Sequence, residues 1–237
     1  MNWEIVHIDE TDSTNRWVKD DLHERKRPFC VVADYQTAGR GCGTNTWESE
    51  RGKNLLFSVL IHPQNVPVAR QFILSMAMAN SIAKVVSDYV KNVSVKWPND
   101  IYVGDRKICG VLIENRLQGS VIKDCILGVG LNVNQLRFES DAPNPVSLAN
   151  LTARMYDLSL LLQQLLTAFE AELSDLDGVR SRYLPQLYRR TGFHRYRNAW
   201  GETYAELVTV EDDGHLVLRD VDGYINRYAF KEVQFVL

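Results

Sequence analysis

The sequence predicts an α/β protein whose strands alternate with helices, followed by a small β-barrel-like module. Three observations predict it. Two runs dense in β-branched and aromatic residues, Phe29–Tyr35 and Leu55–Ile61, read as buried strands on either side of a long glycine-bearing loop. Two stretches, Pro67–Val90 and Leu158–Leu173, repeat apolar residues at steps of three and four and read as helices. From Phe193 onward the pattern becomes short alternating strands with turns at Asp212-Asp213-Gly214 and Asp222-Gly223. The change falls near Thr191-Gly192, which divides the chain into a main domain, residues 1–190, and a module, residues 191–237. The module is too small to bury much core alone and is expected to pack on the main domain.

In chain order, Trp3–Ile8 reads as a strand. Asp9–Asn15 is rich in capping residues and opens a helix that carries Trp17, Val18 and Leu22 inward. Ser13 and Thr14 read either as its caps or as ligand contacts. The loop Thr37–Asn54 reads TAGRGCGTNTWESERGKN, with Gly39, Gly41, Gly43 and Gly52 among Arg40, Arg51 and Lys53. Glycines let backbone approach a ligand, and exposed amides with arginines suit an anion such as phosphate. An ordinary surface loop is the alternative, and the sequence offers its positive groups no evident acidic partners.

Further on, Phe72, Met76, Ala79, Ala83, Val86 and Val90 make one apolar helix face, and Pro67 fits the first turn. Val93–Trp97 reads as a strand that Pro98-Asn99-Asp100 breaks, because Pro98 has no ladder donor. Lys107–Asn115 and Ser120–Asn134 read as two strands joined near Gln118-Gly119, interrupted by Gly110, Gly128 and Gly130. Such glycines mark a bulge, a ligand floor or tight packing. Gln135–Asn150, with Pro143 and Pro145, reads as a loop. Val179–Arg190 reads as a further helix with Pro185 as kink or boundary, and Arg180, Arg182, Arg189 and Arg190 as a solvated face.

Composition narrows the function. The net charge is -3, so no global field draws the protein to nucleic acid or membrane. No apolar run approaches the roughly 20 residues that cross a bilayer, and no signal peptide is visible. Cys30, Cys42, Cys109 and Cys125 show no CxxC spacing, which fits reduced thiols and a cytoplasmic location. His7, His23, His62, His194 and His215 show no metal-ligand spacing, so no protein-held metal is expected.

Four stretches together resemble the biotin protein ligases. They are Asp12-Ser13-Thr14-Asn15; Gln36-Thr37-Ala38-Gly39-Arg40-Gly41 with Asn45-Thr46-Trp47; Val95-Lys96-Trp97-Pro98-Asn99-Asp100-Ile101-Tyr102 with Asp105–Leu112; and Gly128–Asn134. The resemblance covers almost the whole chain and implies a class II synthetase-like catalytic domain, a mixed sheet backed by helices, with a C-terminal SH3-like barrel. It implies an ATP- and Mg²⁺-dependent enzyme that makes biotinyl-adenylate and transfers biotin to a lysine of a biotin carboxyl carrier protein domain. No N-terminal DNA-binding domain is expected ahead of the catalytic part, and the enzyme would be a monomer or homodimer.

The resemblance also assigns residues. Ser13, Thr14, Asn15, Gln36, Gly39, Arg40, Gly41, Gly110, Leu112 and Gly128 would bind biotin. Lys107, which would reach the carboxylate and α-phosphate, and Arg40, in the family's loop-arginine position, would be catalytic. Trp47, Lys107, Asn132, Lys96, Asn99 and Asp100 would serve the nucleotide. Trp47 and Trp97 read equally as core and Asp100 as a turn residue. The chain departs from the family at Cys42, where a basic residue often follows the loop arginine. A lipoate or octanoate ligase of the same fold is the nearest rival, although the Gly-Arg-Gly loop and Lys-Trp-Pro-Asn-Asp stretch favour biotin. A non-catalytic binding module is the rival from another class.

Overall fold

The computed structural model describes residues 3–22, 25–43, 45–139 and 144–236; the expectations for His23, Thr44 and Pro143 fall outside them. The main sheet has seven strands in the order β1 (Glu4–Thr11), β2 (Phe29–Gln36), β3 (Leu55–Ile61), β7 (Val121–Leu131), β6 (Arg106–Gln118), β5 (Asp100–Val103) and β4 (Val93–Lys96). β1 and β2 run parallel, because the helix α1 (Thr14–Asp21) crosses over between them. Every other neighbouring pair is antiparallel. The sheet is therefore mixed, as expected.

Alternation along β2 and β3 divides the core. Val18 of α1 packs with Phe29, Val31, Leu60 and Ile126 on one face. Cys30, Val32, Phe57, Val59 and Leu127 face the other way, towards α2 (Phe72–Ser87) and α4 (Leu158–Ser174). Burying a side chain such as Phe57 or Leu60 fully stabilises the fold by about 1.5–3 kcal/mol.

Two helices differ from their sequence patterns. α2 starts at Phe72, after a short 3-10 turn Val68–Arg70 that Pro67 precedes. It is buried nearly all round, because α4 and α5 (Leu176–Tyr183) cover the side that faces away from the sheet. α5 ends at Tyr183, and Pro185 lies in a 3-10 turn beyond it, so the proline is a boundary and not a kink. A short helix, α3 (Leu148–Thr152), lies where only loop was expected, closed at its N-terminus by a reciprocal Ser147–Asn150 capping box.

The C-terminal strands are β8 (Phe193–Asn198), β9 (Gly201–Val210), β10 (Leu216–Asp220), β11 (Ile225–Tyr228) and β12 (Val233–Phe235). Where the sequence suggests a closed barrel, they form an open antiparallel sheet with β11 and β12 as its edges. This sheet packs against the main domain. Trp97 Nε1 donates to Gly214 O at 2.9 Å, and its ring meets Phe230 edge-on. The arginines expected on a solvated face bind neighbours instead. Arg180 donates to Val210 O and Thr209 Oγ1, Arg190 to Leu207 O, and Arg182 pairs with Glu172 and Asp175.

Candidate active site

A cavity of about 180 Å³ crosses the main sheet on the face that carries α1. Its closed end is polar. Ser13, the N-cap residue of α1, makes no side-chain cap hydrogen bond, and it is buried with its hydroxyl uncommitted to the helix. The backbone N–H of Thr14 donates to Gln36 Oε1 at 2.8 Å, and the Thr14 hydroxyl to the same oxygen at 3.1 Å. Ser58 Oγ lies 2.8 Å from Thr14 Oγ1 and 2.7 Å from Asn15 Oδ1. Asn15 Nδ2 donates to Glu114 Oε2 at 2.9 Å and to Leu112 O at 3.3 Å. This end is a buried network of fixed donors and acceptors, suited to a ligand with a compact polar head.

Glycines let two side chains lie on the sheet. A Cβ at Gly128 would collide with the Asn15 amide, and one at Gly130 with the Trp47 indole. A Cβ at Gly110 would sit 3.0 Å from Trp47 and 3.3 Å from Lys107 Nζ. The three glycines thus form the floor on which Asn15, Trp47 and Lys107 rest.

The other end is cationic. In β6 the register with β5 shifts between Ile101 and Tyr102, which pair with Cys109 and Lys107. The extra residue, Ile108, is a bulge that turns Lys107 onto the same face as Gly110 and Leu112. Lys107 Nζ pairs with Asp100 Oδ1 at 2.8 Å and lies 5.5 Å from the centre of the Trp47 ring. Arg40 Nη2 stands 3.9 Å from Glu114 Oε1, which Lys19 also holds at 2.6 Å. Asn99 Nδ2 lies 3.2 Å from Cys42 Sγ.

Of the expected site residues, Ser13, Thr14, Asn15, Gln36, Arg40, Gly41, Trp47, Asn99, Asp100, Lys107, Gly110, Leu112 and Gly128 line this one cavity. Three lie outside its lining. Gly39 packs against the Trp47 backbone. Lys96 donates to Tyr102 OH at 2.9 Å, and burial lowers its ammonium pKa. Asn132 is buried, with Nδ2 on Val146 O and Oδ1 without a partner. Sequence reasoning missed Ser58, Glu114 and Phe230. Ser58 did leave a signal, as a lone hydroxyl inside the apolar run LLFSVLI. Arg51 corrects the expectation of an unpartnered loop, since it pairs with Asp9 and Glu10 and lies over the Tyr35 ring.

For a metal, Asp100 is a carboxylate at the cavity wall. Among the described residues, the cluster of three potential metal donors (Glu211, Asp213 and His215) lies in the C-terminal sheet, with both carboxylates on Arg227. A cavity whose lining carries one carboxylate, Asp100, fits Mg²⁺ carried in largely on a substrate's phosphates.

Fold and cavity together define a ligase-type α/β protein, with its cleft laid across a mixed sheet. Residues 8–132 match the model of the biotin/lipoate A/B protein ligase family, and the chain belongs to that family. The bifunctional ligase/repressor BirA of Bacillus subtilis is 26% identical over 97% of this chain and 73% of its own length. The biotin–[acetyl-CoA-carboxylase] ligase of Paracoccus denitrificans is 25% identical over 90% of this chain and 93% of its own. Among solved structures, the Aquifex aeolicus biotin protein ligase in complex with biotin and ATP superimposes with a TM-score of 0.80 over 98% of this chain and 99% of its own. Its 22% identity makes that a likeness of fold.

Proposed function

We propose that this protein is an ATP-dependent ligase that joins biotin to a lysine of a carboxylase carrier domain. The observation that carries the reading is one cavity with a polar blind end and a cationic mouth. The ureido ring of biotin takes the blind end, against Ser13, Thr14, Asn15 and Gln36, and its aliphatic tail runs past Leu112 over Gly110. The carboxylate then reaches Lys107. ATP enters along the loop that bears Arg40, with Trp47 against the adenine and Asn99 and Asp100 at the edge of the site.

In the first step the biotin carboxylate oxygen attacks the α-phosphorus and the bond to pyrophosphate breaks. Lys107 and Arg40 hold the charge that shifts between carboxylate, phosphorus and leaving group. Fixed cations beside developing charge are worth most in a water-excluded site. In the second step the carrier lysine's neutral amine attacks the acyl carbon; the acyl–oxygen bond breaks, AMP leaves with its electron pair, and the nitrogen loses a proton to solvent as the amide forms. Asp100 would help hold Mg²⁺ brought in on the phosphates, and the ion would supply neutralisation of the triphosphate charge.

Residues 1–190 carry the chemistry. The five short antiparallel strands of residues 191–237 support an SH3-like reading of that unit. The test is transfer. Incubation with biotin, ATP, Mg²⁺ and a carboxylase carrier domain adds one biotinyl group to the carrier. A carrier whose acceptor lysine is replaced by arginine stays unmodified. Equal labelling of that variant would overturn specific transfer.

A further inference from the structure

The two cations at the mouth of the cavity are already engaged. Lys107 is held by Asp100, and Arg40 approaches Glu114. The loop offers no other basic residue between Arg40 and Arg51, and Arg51 is tied to Asp9 and Glu10. Lys53, the loop's remaining cation, is not among the residues that line the cavity.

The C-terminal sheet supplies a further cation. The turn from Ala229 to Glu232 closes with a hydrogen bond from Glu232 N to Ala229 O at 3.1 Å. Phe230, its second residue, lines the cavity beside Cys42 and Pro98. Lys231, its third, has a φ of +72°. In such a turn that position ordinarily belongs to glycine, because a side chain there costs about 1 kcal/mol or more. Its side chain lies against the loop, where a Cβ on Gly43 would collide with Lys231 Nζ. Gly43 is itself at a φ of +71° and is the residue after Cys42. Among the described residues, no carboxylate forms an ion pair with Lys231.

We propose that Lys231 is a nucleotide-binding residue, a cation lent by the C-terminal sheet to the phosphate loop at the point where the loop itself carries Cys42. This rests on the nucleotide reading of the cavity and extends it across the interface between the two units. It gives the C-terminal sheet a direct part in ATP binding, and it accounts for a lysine kept where glycine is easier to hold.

The strain makes the test decisive, because removing the side chain relieves it. Binding of Mg²⁺ and a non-hydrolysable ATP is measured by calorimetry with wild type, Lys231→Gly and Lys231→Arg, alongside thermal unfolding. Lys231→Gly is expected to unfold at the same or a higher temperature while its Kd for the nucleotide rises about tenfold, the loss of one charge-assisted contact. Lys231→Arg is expected to keep nucleotide affinity within about threefold of wild type. A Kd unchanged in Lys231→Gly overturns the proposal. So does a loss of affinity that comes with a lowered unfolding temperature, which makes Lys231 structural. No organic acid enters the titration. Failure of the biotin reading would therefore show in activity assays and leave this result to be judged separately.

Discussion

Lys107 Nζ and Asp100 Oδ1 stand 2.8 Å apart across the β5–β6 hairpin, joined at the bulge that turns Lys107 into the cavity. The pair fixes the ammonium over the glycine floor before any substrate arrives. In the proposed reaction its charge matters more in the transition state than in the bound ground state. Lys107→Gln is expected to slow adenylate formation by about 10²–10³-fold, while biotin binding without ATP changes by less than about threefold. Single-turnover kinetics with calorimetry measures both. Adenylate formation at the wild-type rate would remove Lys107 from the chemistry.

Gly128 and Gly130 lie on one face of β7, two residues apart, yet each makes room for a different side chain. Gly128→Ala displaces Asn15 at the polar end and is expected to weaken biotin binding by about tenfold or more. Gly130→Ala displaces the Trp47 indole and is expected to raise KM for ATP by about tenfold, with biotin affinity nearly unchanged. Equal effects of both variants on both ligands would show that the cavity is not divided in this way.

Arg190 and Arg180 donate from the main domain to carbonyls of β9. Both side chains are partly exposed to solvent, so each contact is discounted for screening. Arg190→Ala is expected to cost about 1 kcal/mol in chemical denaturation and to loosen the C-terminal sheet first. Protease cleavage between residues 190 and 201 should then rise before global unfolding. A midpoint and cleavage rate equal to wild type would show that apolar packing around Trp97 and Phe230 docks the sheet alone.

Cys42 lines the cavity, and its thiol meets the Asn99 amide. Cys42→Arg adds a fixed charge beside the proposed phosphate site and is expected to slow release of pre-formed labelled biotinyl-adenylate by about tenfold. The measurement is made without carrier. An unchanged release rate in a folded variant would mean that position 42 faces away from the phosphate.

The apolar runs Phe29–Tyr35 and Leu55–Ile61 made the sheet legible, because their density in β-branched and aromatic residues is a local property. The polar end was legible at Ser13, Thr14 and Asn15 through the motif they form. Other features depend on long-range register. Ile108 becomes a bulge only where β6 meets β5, and no local pattern marks it. Glu114 reads as an ordinary polar strand residue until Asn15 and Lys19 fold against it. Arg180 and Arg190 read as solvated because the sheet that receives them lies beyond the helix in sequence. α2 shows an apolar stripe with small residues behind it, and only the covering helices bury that second side.

The central claim is that this cavity activates biotin with ATP. It is tested most directly by pyrophosphate–ATP exchange, with biotin, lipoate and octanoate measured in parallel in Mg²⁺. The account predicts exchange with biotin and none above background with the other two acids. Exchange with lipoate as fast as or faster than with biotin would contradict it.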